Sequence, residues 1–305
     1  MKFAVTVLGS GSAKPTPERL TSAHVLNVHE HFFLIDCGEG AQVAMMKFGI
    51  EMMKINHVFI SHLHGDHYFG LPGVINSMHL FGRKRELHIY CFEELEQIID
   101  VQLKAAGTVL SYPLRFHFLS TDNEKNILDN KYVNVLSFPL KHRIRTCGFL
   151  FREKKSSRNI RKEFVEQHKI PHEWFPRILA GEDFIDENGK RHPNNTITKV
   201  SMPSRSYAYC SDTAYDESIV PHIKNASLLY HEASFADDHE ETATQKFHST
   251  SRQAAKIAQL ANAQQLMIGH FSNRYKTSDD IIKQAREEFN NTIEAIDGLT
   301  IEIVS

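Results

Sequence analysis

The chain has 305 residues, 41% of them hydrophobic and 24% charged, with a formal net charge of −2. That length buries one large core or two modest ones, and the balanced charge excludes a uniformly basic nucleic-acid binder while allowing a local patch. No apolar run approaches the ~20 residues of a membrane span, the opening "MKFAVTVLGSGS" is too brief and glycine-rich for a leader, and Cys37, Cys91, Cys147 and Cys210 are too scattered for a disulfide framework or a cysteine-bound zinc.

A cytoplasmic protein without a membrane partner is therefore expected. In chain order, "KFAVTVLGSGS" reads as a strand ending in a glycine-rich turn, and "SAHVLNVHEHFFLIDCGEG" as two strands around a polar turn. A helix at "AQVAMMKFGI", a buried strand at "INHVFIS" and a helix at "YFGLPGVINSMHLFG" follow. Strand "ELHIYC", helix "EELEQIIDVQLKAAG" and strand "YVNVLSFPL" keep the alternation. Near the end come strands "SYAYCSD" and "ASLLYHEASF", helix "STSRQAAKIAQLANA", strand "QQLMIGH", helix "DDIIKQAREEFNN" and strand "LTIEIVS". Strands feeding helices throughout predict a layered α/β architecture, with ligand-type residues just past strand ends. Residues 152–200 break the rhythm: they are strongly polar, hold the only tryptophan and carry an Asn188-Gly189 turn signal. They read as an insertion protruding from a single domain spanning 1–305, or as a long surface loop.

Between two of these elements lies "SHLHGDH", residues 61–67. Alternation along an extended chain aims His62 and His64 to one side. Gly65 then permits a sharp turn that brings Asp66 and His67 to the same hollow. Four such neighbours cannot comfortably surround one tetrahedral ion, so two ions are expected, His62 and His64 on one and Asp66 and His67 on the other. Imidazole with carboxylate suits zinc, with manganese or iron as competitors. The remaining ligands should stand at other strand ends. His142 after "VLSFPLK", Asp212 after "YAYCS" and His270 after "LMIG" are the candidates, and Asp212 has an oxygen for each ion.

With these residues in place, "SHLHGDH" resembles the signature of the metallo-β-lactamase fold. The stretches "LGSGSAKPTPERLTS", "LIDCGEGAQ", "SFPLKHRIRTCGF", "YCSDTAYDESIV", "LLYHEASF", "HSTSRQAAKIA" and "IGHFSNRY" are similar to ribonuclease Z, the tRNA 3′-processing endonuclease family, along almost the whole chain. The resemblance implies a four-layer αββα sandwich, usually a homodimer, with the 152–200 insertion as a flexible arm gripping precursor tRNA. It implies two zinc ions per subunit, one held by His62, His64, His142 and Asp212, the other by Asp66, His67, Asp212 and His270. It also implies that His248, oriented by Glu232, protonates the leaving oxygen. The family's Pro-x-Lys-x-Arg-Asn loop stands here as "PTPERL", keeping Pro15 and Arg19 but with Pro17 and Leu20 at the lysine and asparagine positions. The arm has Glu173-Trp174 near the usual Gly-Pro, and "GEGAQ" has Ala41 where threonine is common. These departures are expected to change how substrate is held and to leave the metal chemistry intact.

Two cations would neutralise the phosphodiester and activate a water, with Asp66 orienting or deprotonating that water. Arg19 is expected to bind substrate, and Ser272 and Arg274, just after a ligand, to hold a phosphate. Residues 141–162 carry nine lysines and arginines against one acid, Glu153, and suit backbone contact. The competing expectation is another hydrolase of this fold, arylsulfatase-like or acting on small phosphodiesters; a non-catalytic scaffold would have lost ligands, and none is missing.

Overall fold

The structure, a computed structural model, describes residues 2–154, 158–200 and 204–304. The chain divides into two compact units, Met1–Arg152 with Arg205–Val304, and Glu153–Ser204.

In the larger unit the N-terminal half builds one sheet from β1 (Phe3–Gly9), β2 (Ala23–Val28), β3 (His31–Ile35), β4 (Ile55–Phe59), β5 (Leu87–Cys91) and β6 (Leu114–Phe118). Helices α1 (Ala41–Lys47), α2 (Gly65–Tyr68), α3 (Leu71–Leu80) and α4 (Glu94–Ala105) connect its later strands. After β7 (Lys125–Asp129), β8 (Val133–Pro139) and β9 (Cys147–Glu153), the smaller unit contributes β10 (Arg158–Ile160), α5 (Lys162–His168), α6 (Phe175–Leu179), β11 (Phe184–Ile185), β12 (Arg191–His192), α7 (Asn194–Ile197) and β13 (Thr198–Val200). The chain then completes the second sheet with β14 (Ser206–Cys210), α8 (Val220–Ile223), β15 (Leu228–Glu232), α9 (Glu240–Lys246), α10 (Ser251–Leu260), β16 (Leu266–Gly269), α11 (Asp279–Glu288) and β17 (Thr292–Glu294). The last strand, β18 (Thr300–Glu302), returns to the first sheet beside β1. The orders are β18-β1-β2-β3-β4-β5-β6 and β17-β16-β15-β14-β9-β8-β7.

Alternation along each strand sets the layers. Phe3, Val5 and Val7 of β1 meet Phe149 and Phe151 of β9, Tyr207 and Tyr209 of β14 and Tyr230 of β15 in one core between the sheets. The intervening positions face outward: Leu34, Val58 and Ile89 take α1, α3 and α4, while Ala208, Leu229 and Ile268 take α8, α10 and α11. The central strands of both sheets are thus buried on both faces, giving the αββα sandwich of the metallo-β-lactamase fold. The parallel run β14-β15-β16 brings three strand ends to one edge, and there the ligand-type residues gather.

Within the smaller unit, β10 pairs with β13 and β11 with β12. Its apolar core is small: Ile170, Ile178, Phe184 and Ile197 are buried, flanked by Phe164, Val165, Trp174 and Phe175.

Candidate metal centre

Strand β4 runs into residues 60–64, which are neither helix nor strand before α2 begins; His62 is buried there, while His64, with an extended backbone, faces the cleft. Gly38, on the loop after β3, makes that turn possible. A Cβ there would lie 2.2 Å from Thr21 Oγ1 and 2.3 Å from the Asp66 carbonyl oxygen. His142 follows β8; Asp212, Glu232 and His270 stand at the ends of β14, β15 and β16. His270 has φ 60°, a left-handed conformation that a non-glycine side chain holds only where its surroundings dictate it.

Two groups of donor atoms result, His62, His64, His142 and Asp212 in one, Asp66, His67 and His270 in the other. His64 Nδ1 lies 3.1 Å from His62 Nε2 and 3.2 Å from His142 Nε2. His270 Nε2 lies 3.3 Å from both His67 Nε2 and Asp66 Oδ2. Imidazole nitrogens that face one another at this spacing match the edge, ~3.3 Å, of a tetrahedron with ~2.0–2.1 Å metal bonds. Asp212 stands between the groups. Its Oδ2 is 3.6 Å from His62 Nε2 and 3.8 Å from His142 Nε2, while its Oδ1 is 3.4 Å from His67 Nε2 and 3.2 Å from His270 Nε2. That Oδ1 is buried without a hydrogen-bond partner, which a bound cation would relieve. The donor set therefore fits a pair of divalent cations sharing Asp212.

The far nitrogens of the rings are anchored. His62 Nδ1 is 3.0 Å from Ser61 Oγ, His67 Nδ1 is 2.8 Å from Asp36 Oδ2, and His270 Nδ1 is 2.9 Å from Ser234 Oγ. His142 Nδ1 donates to the Phe247 carbonyl at 2.9 Å. Such contacts fix tautomer and ring orientation. Asp66 is held by the backbone N–H of Ala13, which donates to Oδ2 at 2.7 Å from the glycine-rich turn after β1.

Charge is divided unevenly. Burial lowers the pKa of His62, His64 and His142, keeping them neutral, the form a metal needs. Burial also pulls His67 down, but the carboxylates of Asp212, Asp66 and Asp36 outweigh it and raise its pKa well above the usual value. For Asp212 the burial that would raise its pKa is overcome by His270, His67 and His248, and the carboxylate stays ionised.

Beside this centre, His248 Nδ1 is 2.9 Å from Glu232 Oε1, and its Nε2 is 4.0 Å from Asp212 Oδ2. Glu232 is buried and saturated: it also accepts from the N–H groups of Thr213, Ser249 and Ser234 and from the Ser234 hydroxyl. Burial opposes the charge on His248, yet Glu232 and Asp212 prevail and raise its pKa to about 9. The capping box of Thr250 and Gln253 starts α10 just after it, which fixes the segment's direction.

An open cleft of about 540 Å³ exposes His64, Asp66, Asp212, His248 and His270 together with Ser272, Arg143, Lys246 and Phe235. Arg274 is not among the residues that line it; its guanidinium lies 4.8 Å over the ring of Phe235, which is. Arg19 does not line the cleft either. Its guanidinium is taken up by Glu294 at 2.9 Å and Ser278 at 3.0 Å and lies 4.6 Å over Phe271. Within the basic stretch, Arg145 is neutralised by Glu93 and Glu94 at 3.1 and 2.6 Å, and Lys155 lies outside the described residues. Sequence reasoning assigned no role to Asp36, Ser61, Ser234 or Lys246, and treated Arg143 only as one cation of the basic stretch. Asp36 could have been found by the rule that found Asp212, since it follows the apolar β3.

A family model described as "Anti-Pycsar protein Apyc1" matches residues 3–112. The chain is 42% identical over 304 residues to the Ribonuclease Z of Phocaeicola vulgatus, covering 100% of this chain and 98% of that one. It is likewise 42% identical over 302 residues to the Ribonuclease Z of Bacteroides thetaiotaomicron, covering 99% and 96%. Among solved structures it is similar to the short form of human tRNase Z, with a TM-score of 0.73, 27% identity and 99% and 100% coverage. A metallo-β-lactamase fold protein of Bacillus subtilis at TM-score 0.71 and 19% identity shares the fold.

Proposed function

The chain belongs to the ribonuclease Z family, and on that premise we propose how its residues carry out the family's reaction. It is a metal-dependent endoribonuclease that removes the 3′ trailer from precursor tRNA. The carrying observation is the arrangement around Asp212, whose two oxygens face two separate sets of ligands.

Two zinc ions are the fitting occupants, held by His62, His64, His142 and Asp212, and by Asp66, His67, Asp212 and His270. When bound, they neutralise the phosphodiester's oxygens and lower the pKa of water beside it. Asp66, fixed by the Ala13 N–H, orients the attacking water and accepts its proton. The water's oxygen forms the new bond to phosphorus as the bond to the 3′-oxygen of the tRNA body breaks. That leaving oxygen takes the proton from His248, which Glu232 keeps charged at neutral pH. Ser272, Arg143 and Lys246 line the cleft and suit the phosphates on either side, with Arg274 stacked over Phe235.

Residues 153–204 form the separate unit through which tRNA is gripped, by shape and phosphate contact with no base-reading motif. A homodimer is supported by the large side chains Val43 and Met46 on α1 and Phe69, Leu80 and Phe81 around α3, which are exposed; Met46→Glu should yield a monomer in sedimentation. No described helix is long and apolar enough to cross a membrane, and a cytoplasmic location suits the substrate. The test is cleavage of a trailer-bearing precursor tRNA with and without chelator. A 3′-hydroxyl on the tRNA and a 5′-phosphate on the trailer, both lost on chelation, are expected; a cyclic phosphate would overturn the mechanism.

A further inference from the structure

The smaller unit holds a second set of ligand-type side chains that shares no residue with the centre above. His168 is the last residue of α5, Asp186 follows β11 and His192 closes β12. One donor atom from each lies within 4.8 Å of the other two. Asp186 Oδ2 is 3.0 Å from His192 Nε2, and its Oδ1 accepts from the N–H groups of Asn188 and Lys190, both at 3.0 Å, so the carboxylate cannot swing away. The rings of His168 and His192 lie 4.6 Å apart between centroids. Phe164 stacks on His168 at 4.1 Å and meets His192 edge-on at 5.2 Å, while Phe184 stacks on His192 at 5.8 Å.

An Asp–His hydrogen bond alone could brace a hairpin, and it would need neither the third residue nor the aromatic wall that holds both imidazoles. Among the described residues the unit's other support is mainly polar: Asn194 Nδ2 donates to the Ile178 and Glu182 carbonyls, and Arg191 pairs with Asp183 at the surface. Its buried apolar core comprises Ile170, Ile178, Phe184 and Ile197, and all four cysteines lie outside residues 153–204. Units of this size usually need a disulfide, a metal or a partner to fold firmly.

The geometry points to a third divalent-metal site, formed by His168, Asp186 and His192, that ties α5 to the β11–β12 hairpin. Two imidazoles and a carboxylate suit zinc, with nickel and cobalt as alternatives in solution, and leave a coordination position for water. The inference stands on the smaller unit alone and does not depend on the reaction assigned to the larger one.

The test uses the full chain, stripped with chelator and dialysed against zinc at a buffered free concentration. His168→Ala, at a half-buried position, should bind one zinc fewer than the parent, whatever the parent's total. Asp212→Ala should lose zinc from the other centre and keep this one. Trypsin reports the fold of the unit through Arg161, Lys162, Lys169 and Arg177. At free zinc about tenfold above the dissociation constant, the open form and its cleavage should fall about tenfold in the parent, with no protection in His168→Ala. In chelator the parent and His168→Ala should be cut at the same rate, which separates lost metal from a damaged fold. Equal zinc content in the parent and His168→Ala would overturn the proposal.

Discussion

Asp36 Oδ2 lies 2.8 Å from His67 Nδ1, with both side chains buried. The same oxygen accepts the Tyr209 hydroxyl at 2.8 Å and the Ser61 hydroxyl at 2.9 Å, and Oδ1 accepts the Ser61 N–H at 2.8 Å. Asp36 thus links both sheets to a ring of the candidate metal centre. Its φ of 54° is one that Asn tolerates, so Asp36→Asn keeps the backbone and removes the charge. Its metal affinity should fall by about 10- to 100-fold, measured by competition with a chromophoric chelator. Parent-like affinity would show that His67 needs no such support.

His248→Ala should lower kcat on precursor tRNA by about 10²- to 10⁴-fold, the usual worth of a positioned acid, while metal content stays at the parent level. A phosphodiester with an acidic phenol as leaving group needs no proton and should be hydrolysed nearly as well as by the parent. Equal losses on both substrates would remove the acid role.

The pH dependence has a definite sign. The active form of His248 is protonated, so kcat/KM should fall as pH rises through its value of about 9. Glu232→Gln removes a negative charge 2.9 Å away and should move that limb to lower pH. A limb that stays in place would mean that another group titrates there.

The site was more legible in the sequence than the scaffold around it. His62, His64, Asp66 and His67 sit together in the chain, and His142, Asp212 and His270 each follow an apolar run, so local pattern sufficed to nominate them. Asp36 follows the same kind of run but lies in a glycine-rich motif that reads first as a turn. Arg143 and Lys246 come from separate loops, and their meeting at one cleft is decided by tertiary packing. Strands β6 and β7 escaped because they are half-exposed edges of only five residues, β7 with little alternation, and β9 because its nearly continuous burial removes the period-two signal. Arg19 shows a different limit: its motif position gives no sign of the acid 275 residues away that contacts the side chain.

Arg152 and Ser206 are paired neighbours on β9 and β14. The chain therefore leaves and re-enters the sheet at adjacent points, and a short hairpin turn can replace the residues between them. That deletion should leave hydrolysis of a small phosphodiester within about twofold, since it removes none of the proposed ligands, and should raise KM for precursor tRNA at least about tenfold. The parent's KM for tRNA should climb steeply with salt through released counterions, and the deletion variant should show a shallower slope. Equal impairment on both substrates would place the unit's role in stability instead of tRNA binding.

His24 offers a test of the core that is independent of catalysis. It is fully buried between the sheets, its Nδ1 2.6 Å from the Tyr207 hydroxyl and its ring 5.2 and 4.5 Å from those of Tyr209 and Tyr230. Burial lowers its pKa to about 3, against about 6.5 in an unfolded chain. Between those values the unfolded state binds the extra proton, so this contribution is complete above about pH 6.5 and is lost as pH falls. The slope from this one group should approach about 1.4 kcal/mol per pH unit. Denaturant unfolding of the parent and His24→Gln between pH 4 and pH 7 should give stabilities that converge towards the acid end, because glutamine takes up no proton. Parallel curves would mean that the ring titrates in the folded protein, and that water or a carboxylate reaches it between the sheets.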